Sequence, residues 1–182
     1  GIKAIALSKN DEKAALDSLQ KGKPFYQING DGKTTTILFN DSSKPLYKQK
    51  EALRRNTFTV IRFLNTQNAV SAHFQSLLAD EKLVEGFVES ATLSSYQFLK
   101  YKTKEVKKNS LQSITIEQGT ISKISLDKVL VVSEANLIAR DLINEPLSYL
   151  TAVQLSNEIV KLGKSAGFKT TVFDKKKIEA LK

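Results

Sequence analysis

Apolar residues recur along this chain with helical period in some stretches and strand period in others, and the changes of period mark out its elements. Asn10 or Asp11 is placed to cap a first helix through Leu19, with Ala15, Leu16 and Leu19 on one face and a stop near Gly22. Phe25–Ile28 and Thr34–Asn40 flank the turn sequence Asn29-Gly30-Asp31-Gly32, so Phe25–Asn40 is expected as a β-hairpin. Pro45–Leu64 sets two signals against each other. Thr57-Phe58-Thr59-Val60-Ile61 favours a strand by propensity, whereas Leu46, Leu53, Val60, Ile61 and Leu64 fit one helical stripe. The length of the stripe and the lack of any turn residue predict one long helix, broken at 65–68. Ala69–Phe74 follows as a short strand holding His73 partly buried. Asp80 or Glu81 opens a further helix, whose wide apolar face runs through Leu83, Phe87, Ala91 and Phe98 as far as Tyr101. Residues 102–109 form a charged, exposed connection. Ser110–Glu117 then alternates as a strand, with Ile114 and Ile116 inward and Gly119 closing it.

From about Leu126 the chain enters another helix. Val131–Asn144 carries a stripe of Ala135, Ile138, Ala139 and Leu142. Pro146 disfavours helical geometry at Glu145 and sets the stop there. Thr151 is placed as the next N-cap, with Gln154 completing a capping box and Leu150 and Leu155 forming a hydrophobic staple. The helix from Ala152 to about Ala166 has a stripe of Leu155, Ile159 and Leu162 and stops at Gly167. A strand over Phe168–Phe173 and a helix capped by Asp174 follow. These elements do not enclose a core by themselves, so the segment is expected to open a larger α/β domain continuing past Lys182.

The totals narrow the class. The chain has 182 residues, 41% of them hydrophobic, which is enough for a packed core. There is no Cys, which excludes disulfides and thiolate metal sites and suits a reducing compartment. No apolar run reaches the roughly 18 residues that span a bilayer, and no signal-peptide pattern opens the chain. Met is absent and residue 1 is Gly, as expected of a processed or excised chain. The net charge of +9 is spread over 44–55, 100–108 and 169–182 rather than gathered in one block. Such a surface gives weak, sequence-independent attraction to nucleic acid or simply a solvated face. Phe98 and Tyr101 beside Lys100, Lys102 and Lys104 offer stacking rings among cations, yet their spacing fits a helix core face better.

The chemistry-bearing patterns are missing. A pair of metal ions hydrolysing a peptide needs several carboxylates converging on two cations about 3.5–4 Å apart. No His-Glu-x-x-His, Gly-x-Ser-x-Gly, P-loop or EF-hand pattern occurs. His73 is the single His and has no second ligand at a useful spacing. Gly30 and Gly32 lack the following helix that a phosphate cradle needs, and read as a turn.

One segment goes further. Ala139-Arg140-Asp141-Leu142-Ile143-Asn144, then Pro146, then Leu150-Thr151 resembles the Ala-Arg-Asp-Leu-(Val/Ile)-Asn, Pro and Leu-Thr-(Pro) pattern of the M17 leucyl aminopeptidases. Ala152 stands where that pattern has its second Pro. Upstream, Glu85-Gly86 and Leu93-Ser94-Ser95-Tyr96-Gln97-Phe98-Leu99-Lys100-Tyr101-Lys102 is similar to the same family's Gly, Leu, Tyr-x-Phe and Tyr-Lys pattern. The resemblance covers about Leu46 onward. It implies an α/β protein with a three-layer, macro-domain-like N-terminal domain, a mixed sheet lying between helices, over 1–125. An interdomain helix and linker over 126–150 and the start of a catalytic domain over 151–182 would follow. It further implies a cytoplasmic, hexameric enzyme that removes N-terminal residues from peptides with two divalent cations, zinc or manganese. The family's metal motifs, ending Asp-Ser-Gly-Gly and Asn-Thr-Asp-Ala-Glu-Gly-Arg, are absent and would come after Lys182. No catalytic, cofactor-binding or metal-binding residue is therefore carried over, and Arg140 and Asp141 take a structural role in the interdomain helix. Residues 1–182 alone are expected to hold no cofactor and to be architectural or regulatory. The competing class is a basic macro-like module that binds nucleotide or nucleic acid.

Overall fold

The computed structural model describes residues 8–30, 33–76, 80–117 and 121–181. The chain separates into two compact units, Gly1–Leu137 and Ile138–Lys182.

The first unit begins with α1 (Lys9–Gln20), capped by Ser8, whose side chain accepts from the Asp11 amide. The cap lies earlier than Asn10 or Asp11 because Ser8 Oγ reaches Asp11 both as acceptor from its backbone and as donor to its carboxylate, at 2.6 Å. Its buried positions are Ala15 and Ser18, whereas Leu16 and Leu19 are exposed, so the packing face is rotated from the one expected. The hairpin is present: β1 (Phe25–Gly30) pairs antiparallel with β2 (Lys33–Leu38). Its Asp31-Gly32 turn lies outside the described residues, as does Gly119 at the end of the later strand.

The long helix is also present, as α2 (Leu46–Thr66). Leu53, Thr57, Val60 and Ile61 are buried at helical spacing. Their β-branched members fill the buried face, and tertiary burial outweighs their strand propensity. After the break at Asn68, which takes a φ of 56°, comes β3 (Ser71–Phe74). Ala72 and Phe74 turn toward the core while His73 is exposed, which corrects the expected partial burial of His73. Strand alternation forces that result once Phe74 stacks on Phe87 with ring centroids 3.7 Å apart.

Asp80 caps α3 (Glu81–Ser94) by accepting from the Lys82 amide. The helix stops at Ser94 and does not reach Tyr101, so Phe98 and Tyr101 leave its apolar face. In a continued helix the Ser95 carbonyl would receive a later helical amide. Here Asn109 Nδ2 donates to it at 2.8 Å. The Thr92 and Ser95 hydroxyls also bond back to Val88 and Ala91 carbonyls, which weakens the last turn. β4 (Ser113–Ile116) pairs parallel with β3, with Ile114 and Ile116 against the core. Among the described residues the strands of this α/β unit form two small two-stranded sheets, one antiparallel and one parallel. The core is Leu53, Ile61, Leu83, Phe87, Val88, Ala91 and Leu111. Each large side chain there contributes about 1.5–3 kcal/mol by leaving water.

The last helix of this unit, α4 (Lys123–Asn144), starts before Leu126 and continues into the second unit. Glu81 receives the Ser122 amide just ahead of it, and hydrogen bonding from Ser122 holds the Glu81 carboxyl below its usual range. Of the stripe expected on α4, Ala135 and Ala139 are exposed, and Ile138 and Leu142 half-buried.

In the second unit α4 ends at Asn144, and the chain turns at Pro146, whose carbonyl receives the Tyr149 and Leu150 amides. α5 (Ala152–Ala166) opens on the full capping box: Thr151 Oγ1 accepts from Gln154 N, and Gln154 Oε1 accepts from Thr151 N at 3.0 Å. Gly167 closes it in the left-handed region at φ 81°, with Phe168 N donating to Gly163 O. The expected strand over Phe168–Phe173 is absent, because no strand of the described residues pairs with it. Instead the segment passes close over Gly163, where a Cβ would strike Thr170 Oγ1 and lie 3.0 Å from the Phe168 ring. Leu155 and Ile159 on α5 are exposed and Leu162 half-buried, so that stripe is uncovered as well. Asp174 caps α6 (Lys175–Ala180) through the Lys177 amide.

Candidate functional site

A polar cleft of about 240 Å³ lies in the first unit where α2 and α3 end, bordered by the segment after α3. Arg62 and Asn65 reach it from α2, Gln97 from the residues after α3, and Lys107, Lys108 and Asn109 from the approach to β4. Its neutral side chains are held in place by hydrogen bonds. Asn65 Nδ2 donates to Ile61 O at 2.8 Å, and its Oδ1 accepts from Leu111 N at 3.1 Å. Gln97 Nε2 donates to Lys107 O while Gln97 Oε1 accepts from Asn109 N at 2.9 Å. These bonds pin 97–111 across the end of α2 and carry Leu111 into the core. The cations are exposed. Arg62 stands 5.5 Å from the Phe58 ring centroid, one helical turn back. Nothing in the spacing of Arg62 and Lys107 suggested a shared site, since the two lie far apart in sequence and meet only through packing.

Among the described residues, no group of three or more His, Cys, Asp or Glu side chains stands close enough to hold a metal ion. Arg140 and Asp141 lie in the last turns of α4, half-buried and exposed respectively. No helix of the described residues is long and apolar enough to cross a membrane.

The segment running from α4 through Pro146 and the capping box into α5 therefore has the local structure that its sequence pattern implied. No family model matches the chain. Individual proteins do. The chain is 32% identical over 108 residues to the "Probable cytosol aminopeptidase" of Clostridium perfringens, which covers 56% of this chain and 22% of that protein. It is 29% identical over 186 residues to the protein of the same name from Clostridium tetani, covering 99% of this chain and 37% of that one. Its sequence relatives are cytosol aminopeptidases.

The fold agrees. A tomato leucine aminopeptidase mutant superposes with a TM-score of 0.77 over 98% of this chain and 39% of its own, at 16% identity. The bottromycin maturation enzyme BotP in complex with Mn gives 0.68 over 91% of this chain and 36% of its own, at 20% identity. At these identities the likeness is one of fold. The chain spans about a fifth to two fifths of the length of the cytosol aminopeptidases it matches.

Proposed function

We propose that residues 1–182 are the amino-terminal portion of a metal-dependent aminopeptidase that removes N-terminal residues from peptides in the cytoplasm. The observation that carries this reading is the match to cytosol aminopeptidase sequence along 99% of the chain, joined to a leucine aminopeptidase fold along 98% of it. Residues 1–125 form an architectural or regulatory domain, 126–150 an interdomain helix and linker, and 151–182 the opening of the catalytic domain. The described residues do not gather a donor set that fits a metal pair. The two divalent cations, zinc or manganese, belong on this reading to catalytic-domain residues outside 1–182, and no chemical step is assigned to this chain. What supports a further packing partner for the second unit is its uncovered apolar surface: Ile143, Leu147 and Val153 are 81%, 85% and 71% exposed. Burying such side chains against the rest of a catalytic domain would contribute to assembly of the enzyme, which we propose is a homohexamer.

The test compares this chain alone with the same chain continued through its own gene, each assayed on leucine amide with excess manganese or zinc. The continued protein is expected to turn over, lose activity to a chelator and run as a hexamer in size-exclusion chromatography. The chain alone is expected to be inactive. Chelator-sensitive turnover by the chain alone, surviving repurification, would place the site within 1–182, and an inactive continued protein would overturn the aminopeptidase reading.

A further inference from the structure

The cleft at the ends of α2 and α3 has an unbalanced electrostatic composition. Its hydrogen-bonding side chains from Asn65, Gln97 and Asn109 are committed to backbone partners. Besides the Ser94 hydroxyl, what remains for a ligand is Arg62, Lys107 and Lys108, and no salt bridge among the described residues engages any of these three cations. Cations near helix C-termini offset the negative end of the macrodipole, and that role must be discounted first. Two helix ends together supply about one negative charge. Three full positive charges stand against it, so the cleft retains a charge of about +2. A phosphate monoester carries about −1.5 to −2 at neutral pH, which matches that surplus. At about 240 Å³ the cleft has room for a compact anion.

We propose that this cleft binds the phosphate group of a small phosphate monoester. Arg62 offers a planar fork for two phosphate oxygens, and Lys107 and Lys108 act as point charges on the others. The hydrogen bonds through Gln97 and Asn109 hold the two lysines' backbone in place before the ligand arrives. The site lies wholly within the first unit and does not depend on the aminopeptidase reading.

The experiment is an amide NMR titration of the full chain at constant ionic strength, with O-phosphoserine in one arm and inorganic phosphate in the other. Saturable shifts are expected at 62–66, 94–97 and 107–109, with a Kd of about 1 mM or tighter for the monoester. The double variant Lys107→Gln/Lys108→Gln should weaken that Kd about tenfold. Lys48→Gln/Lys50→Gln removes the same charge near the other end of α2, about 20 Å away by the rise of the helix, and should leave it unchanged. Shifts that fail to saturate, that spread equally over the other basic segments, or that respond alike to both double variants would overturn the site. Tighter binding of inorganic phosphate than of the monoester would overturn the ligand class.

Discussion

Asn65 ties the cleft to the core, and its replacement tests whether the side chain or the surrounding packing holds 97–111 in place. In Asn65→Ala the Leu111 amide loses its acceptor at 3.1 Å, and the Ile61 carbonyl loses a donor at 2.8 Å. The second loss costs little, because Ile61 O is a helix carbonyl with its own backbone partner. The first is expensive: Leu111 is only 9% exposed, and an amide left unsatisfied beside the core costs about 1–3 kcal/mol. Alanine returns up to about 0.7 kcal/mol through its better helix propensity in the last turn of α2. The expected net loss is therefore about 1–2 kcal/mol. Urea unfolding should show it as a midpoint lowered by about 0.5–1 M, given a slope of roughly 2 kcal/mol per M. Amide exchange at Leu111 should accelerate more than exchange elsewhere in the core. Asn65→Asp keeps the acceptor and should preserve Leu111 protection. An Asn65→Ala protein that unfolds within about 0.3 kcal/mol of the parent, with Leu111 exchange unchanged, would show that packing alone seats the segment.

Thr151→Ala removes the capping box of α5 and should cost about 0.5–1 kcal/mol, the low end of the range because Gln154 N lies 3.4 Å from Thr151 Oγ1; faster exchange at the Gln154 amide is the readout. Thr57 is fully buried and its hydroxyl has no hydrogen-bond partner, so Thr57→Val should leave stability unchanged or raise it by about 1 kcal/mol in thermal unfolding, and a clear loss would mean the hydroxyl is bonded in solution. The Glu51 carboxyl is lowered to about 2 by hydrogen bonds from Arg54 and then Arg55. A depressed carboxylate contributes stability above its unfolded value near 4.5, and that contribution is lost as pH falls toward about 2. Glu51→Gln should accordingly flatten the stability profile between these limits, and a carboxyl that titrates near 4.5 in a carbon-detected NMR series would refute the double ion pair.

Local signals were legible wherever both partners of an interaction sit within a few residues. The Thr151–Gln154 box, the Asp174 cap and the left-handed stop at Gly167 need only neighbouring side chains and one backbone conformation, and all three are present. The Ser8–Asp11 cap has the same range and its residue types were on view; Asn10 and Asp11 simply compete for that role by type alone. The helical stripe of Leu53, Val60 and Ile61 settled α2 against its own strand propensity, because a repeated apolar face reports burial. The end of α3 was decided elsewhere. Asn109 claims the Ser95 carbonyl across 14 residues, and no periodicity in Glu81–Tyr101 records that competitor. The same limit hid the cleft, whose cations come from α2 and from the approach to β4. It also explains Phe168–Phe173, where β-favouring residues form no strand because none of the described strands pairs with them. A strand exists only with its partner. Pattern along the chain determined which segments would be helical and how several begin and end, because those free energies are local. Tertiary structure decided where α3 stops, which way His73 faces and which charges meet, because each depends on a group brought in from a distant part of the chain.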